Sequence, residues 1–189
     1  MPSRPQLNPT LWRTCRVLSG RIRLQLLRQL HDAPGQCVSA LAERVGIGIS
    51  DASQELRRIQ SRGLLRPEHQ GVRLVYRLKS DPQVASAAPL LQALHSAFLH
   101  YPPEQDAAMA PIATGLAHER RIALVRELLK SDSAFSNLRQ ATRFSPAVAS
   151  RHLLILETCG WVRRSRRTWS LQIPDHPLAR ALVKLLSTS

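Results

Sequence analysis

Leu56-Arg57-Arg58-Ile59-Gln60-Ser61-Arg62-Gly63-Leu64-Leu65-Arg66 and Leu153-Leu154-Ile155-Leu156-Glu157-Thr158-Cys159-Gly160-Trp161-Val162-Arg163 are one pattern written twice, 97 residues apart. Each is an apolar-striped run that ends in glycine and passes into apolar and basic residues. Upstream, Val38-Ser39-Ala40-Leu41 matches Phe135-Ser136-Asn137-Leu138, and Ala52-Ser53 matches Ala149-Ser150. Further back the spacing drifts by one or two residues, because His31-Asp32-Ala33-Pro34-Gly35-Gln36 is longer than its counterpart. Such a repeat reads as two diverged copies of one unit of about 70 residues.

In the first copy Ile22, Leu26, Leu27 and Leu30 fall at helical spacing, which predicts a helix over 9–30, broken near Ser19-Gly20 and closed by Pro34-Gly35. Ser39 is the expected N-cap of a short helix through Val45, with Leu41 and Val45 on one face. Gly46 and Gly48 supply a tight turn into a helix over 50–61 with Ala52, Leu56 and Ile59 as its stripe. Gly63 stands where a helix-ending glycine belongs. Strands are expected over 64–66 and 74–78 around Glu68-His69-Gln70-Gly71, with Leu74, Tyr76 and Leu78 alternating. The second copy repeats the order: a helix over 112–129, a second capped by Ser136 and ending at Thr142, and a third opened by Ser145-Pro146. Val148 or Ala149, with Leu153 and Leu156, lines the third helix, and Gly160 ends it. Strands 161–163 and 168–171 follow, joined by four residues.

Two short helices, a tight turn and a helix feeding a small hairpin make a winged helix-turn-helix. The predicted fold is mainly α with small β-hairpin wings, in tandem. Its plan is a first domain over 9–80, a linker with an apolar packing helix over 81–109, a second domain over 110–173 and a C-terminal packing helix over 174–189. In the linker, Leu90, Leu91, Leu94, Ala97 and Phe98 form an apolar face on a helix starting near Pro89 and stopped by Tyr101-Pro102-Pro103. Leu178, Leu182, Leu185 and Leu186 make a second such stripe. A helical repeat without strands is the competing fold, and the segments around Tyr76 and Trp169 count against it.

The 189 residues carry 27 Lys+Arg against 13 Asp+Glu, a formal charge of +14. Divided after His95, both parts are basic, at +8 and +6. That balance favours a polyanionic partner, since each neutralised phosphate releases counterions. Arg outnumbers Lys by 24 to 3, which suits phosphate and base-edge contacts, although genomic base composition also raises Arg. No apolar stretch is long enough to span a membrane, and residues 1–8 lack the apolar core of a signal peptide. The expected location is the cytoplasm. Cys15, Cys37 and Cys159 are too scattered for a disulfide framework or a zinc knuckle. Phosphate-binding glycine loops, paired metal-ligand histidines and nucleophile elbows are absent from the sequence, so no enzyme is expected.

The residues resemble the ArsR/SmtB family of winged-helix transcriptional regulators. The family's run around its recognition helix is matched by Ser150-Arg151-His152-Leu153, Leu156 and Gly160-Trp161-Val162. Copy one matches through Ser53-Gln54-Glu55-Leu56, Ile59 and Gly63-Leu64-Leu65, and Val75-Tyr76-Arg77-Leu78 is similar to a second wing strand. Arg21-Ile22-Arg23-Leu24 and Arg121-Ile122-Ala123-Leu124 resemble the family's preceding helix. The likeness covers roughly residues 11–79 and 110–172. It implies a DNA-binding regulator, a repressor by occlusion, with terminal helices forming a dimer interface. The chain departs from the family in carrying two copies, and in replacing the paired thiols of its metal site with Cys37-Val38-Ser39 and Ala134-Phe135-Ser136. One cysteine makes no tri-thiolate or tetrahedral site, and Asp175-His176-Pro177 lacks the spacing of the family's other site. No metal and no cofactor are expected.

Candidate DNA contacts are Ser50, Gln54, Arg57, Arg58, Arg62 and Arg73 in copy one. In copy two they are Ser145, Ser150, Arg151, His152, Arg163, Arg164, Arg166 and Arg167. The four arginines in the five positions 163–167 sit at a hairpin tip, suited to phosphates or a minor groove. An edge-protecting device is the alternative for them, a solvated face for the helix arginines, and a packed ring bonding to backbone for His152. Glu55 repels phosphate unless it accepts from a cytosine amine, so copy one is read either as the weaker binder or as having a different role. Trp12, Trp161 and Trp169 read as packing residues, and a redox role for Cys159 is disfavoured. The chain is expected to bind double-stranded DNA as a homodimer or a lone pseudo-dimer, with room for an unknown small-molecule effector. The alternative function is a non-catalytic protein-interaction module on the same scaffold.

Overall fold

A computed structural model describes residues 10–187. The fold is mainly helical, with two small open hairpin sheets. Pro9, where the first helix was expected to begin, and residues 188–189 lie outside the described residues. The first half runs α1 (Leu11–Leu18), α2 (Arg21–Asp32), α3 (Val38–Val45), α4 (Ile49–Gln60), β1 (Arg66–Gln70), β2 (Arg73–Arg77) and α5 (Ala87–His100). A 3-10 turn, Pro103–Ala108, leads into the second half. There α6 (Met109–Leu116), α7 (Glu119–Lys130), β3 (Ser133–Ala134), α8 (Phe135–Thr142), α9 (Pro146–Thr158), β4 (Val162–Ser165), β5 (Thr168–Leu171) and α10 (Pro177–Ser187) follow in the same order.

The repeat reaches atomic detail at the elbow between the first two helices of each half. Arg23 donates through Nε to the carbonyl of Val17 and through Nη2 to that of Arg16. Arg121, which stands opposite Arg23 rather than opposite Arg21 as the sequence motifs paired them, donates to Gly115 O and Thr114 O, both at 2.9 Å. Each guanidinium thus adds donors to carbonyls at a helix end, where the regular intrahelical ladder stops; Val17 O and Thr114 O also accept from the Gly20 and Ala117 N–H groups. The single helix expected over 112–129 is therefore two. His118 takes extended geometry and its Nδ1 accepts from the Arg120 N–H, capping α7 without a glycine signal.

The short second helices begin one residue before the serines expected to cap them. Cys37 and Ala134 are the N-caps, and neither makes a side-chain cap bond. The cause is tertiary. Gln36 bridges to Tyr76, and β3 pairs with β5 (Ser133↔Trp169), which fixes where the extended chain ends. In the first hairpin the first strand and the turn sit later than expected, with Leu64 and Leu65 as core residues before β1 and the turn at Gly71-Val72, while β2 runs one residue earlier than expected. Leu74 is exposed while the adjacent Val75 and Tyr76 are buried, so strict alternation fails there. In the second hairpin the turn is the two residues Arg166-Arg167 rather than four.

Each half meets its counterpart. α1 packs on α6 and α5 on α10, so like contacts like, as in an isologous subunit interface. Leu90, Leu94, Leu178 and Leu182 are wholly buried there, and Cys15, Leu18, Met109 and Leu116 join the same core. These stripes, expected to join the lobes to each other, to a second chain or to both, pack on each other within the chain, with Leu91 and Leu185 left partly buried. A buried fork reinforces the junction. Arg28 of α2 pairs with Asp106 of the 3-10 turn at 2.8 and 2.6 Å and donates to Phe98 O and Tyr101 O.

Candidate nucleic-acid interface

α9 buries Ala149, Leu153 and Leu156 and presents Ala147, Ser150, Arg151 and Leu154 one turn apart. Ser145 opens it, its Oγ accepting from the Val148 N–H at 3.4 Å, so the hydroxyl proton remains available. His152, a candidate contact, points the other way: it is buried, with its ring 4.6 Å from that of His118. Burial, then His118 and Arg121, push its pKa down to about 4, so it is neutral near pH 7. It is packed, as the alternative reading had it, but the backbone bond of that reading is not seen, since its Nδ1 has no hydrogen-bond partner among the described residues.

The hairpin after α9 carries the charge. Arg163, Arg164, Arg166 and Arg167 are all exposed; the Arg164 backbone N–H donates to Glu157 Oε1 at 3.4 Å, but none of the four guanidiniums pairs with a carboxylate among the described residues. Arg164 lies over Trp169, 5.8 Å from the ring centroid, and Trp169 is buried beneath the sheet. Trp161 is fully buried and donates its indole N–H to Ile112 O at 2.8 Å. Both tryptophans pack, as the sequence implied.

The first half offers the same shapes with less free charge. α4 presents Ser50, Asp51, Gln54, Arg57 and Arg58 and buries Ala52, Leu56 and Ile59. Glu55 is taken up by Arg23 at 2.6 Å and by Arg58, so Arg58 is partly neutralised. Arg62 is not on the exposed side expected of it; it is half-buried in a cleft against α1. In the first hairpin Arg66 pairs with Asp81, and Arg77 and Lys79 share Glu68, leaving Arg73 as the exposed unpaired arginine.

One more arginine belongs with the second half's free charges. Arg143, after α8, is exposed and sits at φ 56°, in the left-handed region that favours glycine. Arg166, at the hairpin tip, sits at φ 50°. Their counterparts in the first half are Gly46 and Gly71, at φ 73° and 61°. A non-glycine residue in this region costs about 1 kcal/mol or more, so the second half accepts strain to hold arginine at both turns. Reading Gly46 against Arg143 in the repeat would have revealed the signal. Among the described residues no helix is long and apolar enough to cross a membrane, and no three His, Cys, Asp or Glu side chains converge as a metal site would require. Comparison with known families, curated proteins and solved structures gives no match to this chain.

Proposed function

We propose that this chain is a sequence-specific double-stranded DNA-binding transcriptional regulator, built from two winged helix-turn-helix lobes similar to those of ArsR/SmtB regulators. In this reading α4 and α9 are recognition helices, slim enough for a major groove about 12 Å wide, and the hairpins are wings. The lobes form a covalent pseudo-dimer through α1–α6 and α5–α10, and one chain suffices because the apolar stripes are already covered. The protein acts in the cytoplasm on DNA as a binding protein without metal or catalysis, and represses by occlusion, as the resemblance implies.

The observation that carries the reading is the β4–β5 hairpin, with four exposed guanidiniums free of carboxylates directly after the helix presenting Arg151. Phosphate contacts from the hairpin position the protein, and Ser150, Arg151 and Leu154 face bases. The second lobe grips more tightly, because the first spends Arg58, Arg66 and Arg77 on internal pairs. The two helices differ at Gln54/Arg151 and Arg57/Leu154, so the preferred site is asymmetric, with half-sites about 34–36 Å apart. Fluorescence anisotropy with random and genomic duplexes tests this. Saturable binding with a preferred subset is expected, and no binding even at low salt would remove the proposal in favour of a protein-interaction module.

A further inference from the structure

The cleft that holds Arg62 is lined by Trp12, Arg13, Arg16, Val17, Arg23 and Arg58, and has a volume of about 390 Å³. Five arginines from α1, α2, α4 and the turn after it therefore line one concavity, and among the described residues Glu55 is the carboxylate paired with any of them. Arg23 and Arg58 share that carboxylate, while Arg13, Arg16 and Arg62 have none among the described residues. The Nε of Arg62 is fully enclosed and has no hydrogen-bond partner among the described residues. A buried donor left unmatched is costly, and a charged one more so. Burial and the nearby Arg13 both disfavour the charged form of Arg62, which an anion in the cleft would reverse.

The internal repeat supplies a control within the molecule. Only Arg23 has a basic counterpart, Arg121. Arg13, Arg16, Arg58 and Arg62 correspond to Pro111, Thr114, Ile155 and Cys159, all uncharged. In the second half the space beside the elbow is filled: a Cβ on Gly115 would come within 2.1 Å of Trp161, and His118 lies on His152. One half keeps an open cationic cleft where the other is closed and neutral. Packing alone does not call for four arginines there.

We propose that this cleft is a binding site for a small phosphorylated molecule carrying at least two anionic groups, of the nucleoside polyphosphate kind. Guanidinium forks match phosphate oxygens bidentately, and several forks around one cavity suit several phosphates better than one carboxylate. Trp12, already faced by Arg13 at 5.0 Å from its ring centroid, offers an aromatic wall for a planar group. The cleft is a concavity between three helices with Arg62 sunk into it, which admits a free phosphate chain more readily than the backbone of a duplex. The proposal stands apart from the DNA reading, since it requires only binding of the small anion.

Inorganic triphosphate is the first probe and a nucleoside triphosphate the second, followed by calorimetry and by tryptophan fluorescence. One equivalent should bind, thermal stability should rise with its concentration, and Trp12→Phe should abolish the fluorescence change but not the heat. Arg16→Thr with Arg62→Gln should weaken binding at least about tenfold. Arg13→Gln, at an exposed position, should weaken it in the same direction if the double variant folds poorly. Removing the four hairpin arginines should leave it unchanged. Absence of saturable binding, or loss of it only in the hairpin variant, would overturn the proposal. So would displacement of triphosphate by duplex DNA together with equal weakening of duplex binding in the cleft variants, which would assign the arginines to the DNA backbone.

Discussion

Asp106→Ala should be among the most damaging single substitutions away from the apolar core. Arg28 is 5 % exposed and Asp106 6 %. The guanidinium spends Nε and one Nη2 proton on the carboxylate, at 2.8 and 2.6 Å, and other protons on Phe98 O and Tyr101 O at 2.6 and 2.8 Å. Its carbon lies 4.4 Å from the Phe98 ring centroid, and Asp32, 4.0 Å away, is too far to substitute for the lost carboxylate. Removing Asp106 leaves a buried cation with two donors unmatched, and breaking such a pair costs about 3–5 kcal/mol. Equilibrium urea unfolding should show a lower midpoint with an unchanged slope. Arg28→Met with Asp106→Leu, which removes both charges, should recover most of the loss. A loss below about 1 kcal/mol for Asp106→Ala would refute the reasoning, because it would mean that water reaches the guanidinium.

Acid should weaken the fold through His152. Its folded pKa, about 4, lies below the ordinary 6.5, so the unfolded chain takes up a proton first and stability is lost as pH falls from 6.5 towards 4. That one ring accounts for a loss of about 2 kcal/mol between neutral pH and pH 5, and a His152→Leu variant with the same pH dependence as wild type would contradict it. Among the thiols, Cys37 should react first with a disulfide reagent. A hydrogen bond from Ser39 lowers its pKa, whereas burial raises that of Cys159 and lifts Cys15 to about 12; equal rates for Cys15 and Cys37 would refute this ordering.

The repeated order of helices and hairpins was legible because its markers are local. Apolar stripes such as Ala52-Leu56-Ile59, and glycines at forced left-handed turns such as Gly63 and Gly160, leave a trace in any single sequence. What stayed hidden depends on partners far along the chain. The start of α3 is fixed by a bridge from Gln36 to Tyr76, and the break before α7 by a histidine cap and an arginine elbow. Helical phase could not place Arg62, which lies beyond the end of α4 and turns into a cleft, whereas His152 falls on the buried stripe of Ala149, Leu153 and Leu156, and its phase already pointed inward, onto His118. The pairing of α5 with α10 was one of the alternatives the apolar stripes left open, because a stripe does not by itself name the surface that covers it.

The central claim is that the second lobe holds DNA through its hairpin. The most direct test is the salt dependence of duplex affinity for wild type and for the variant with Arg163, Arg164, Arg166 and Arg167 changed to alanine. Each phosphate contact contributes about 0.9 to the slope of log K against log salt. With all four guanidiniums exposed and without carboxylate partners among the described residues, the slope should flatten by about 3–4 units, equally for preferred and random duplexes. An unchanged slope and affinity would contradict the account, because these arginines would then point away from any bound DNA.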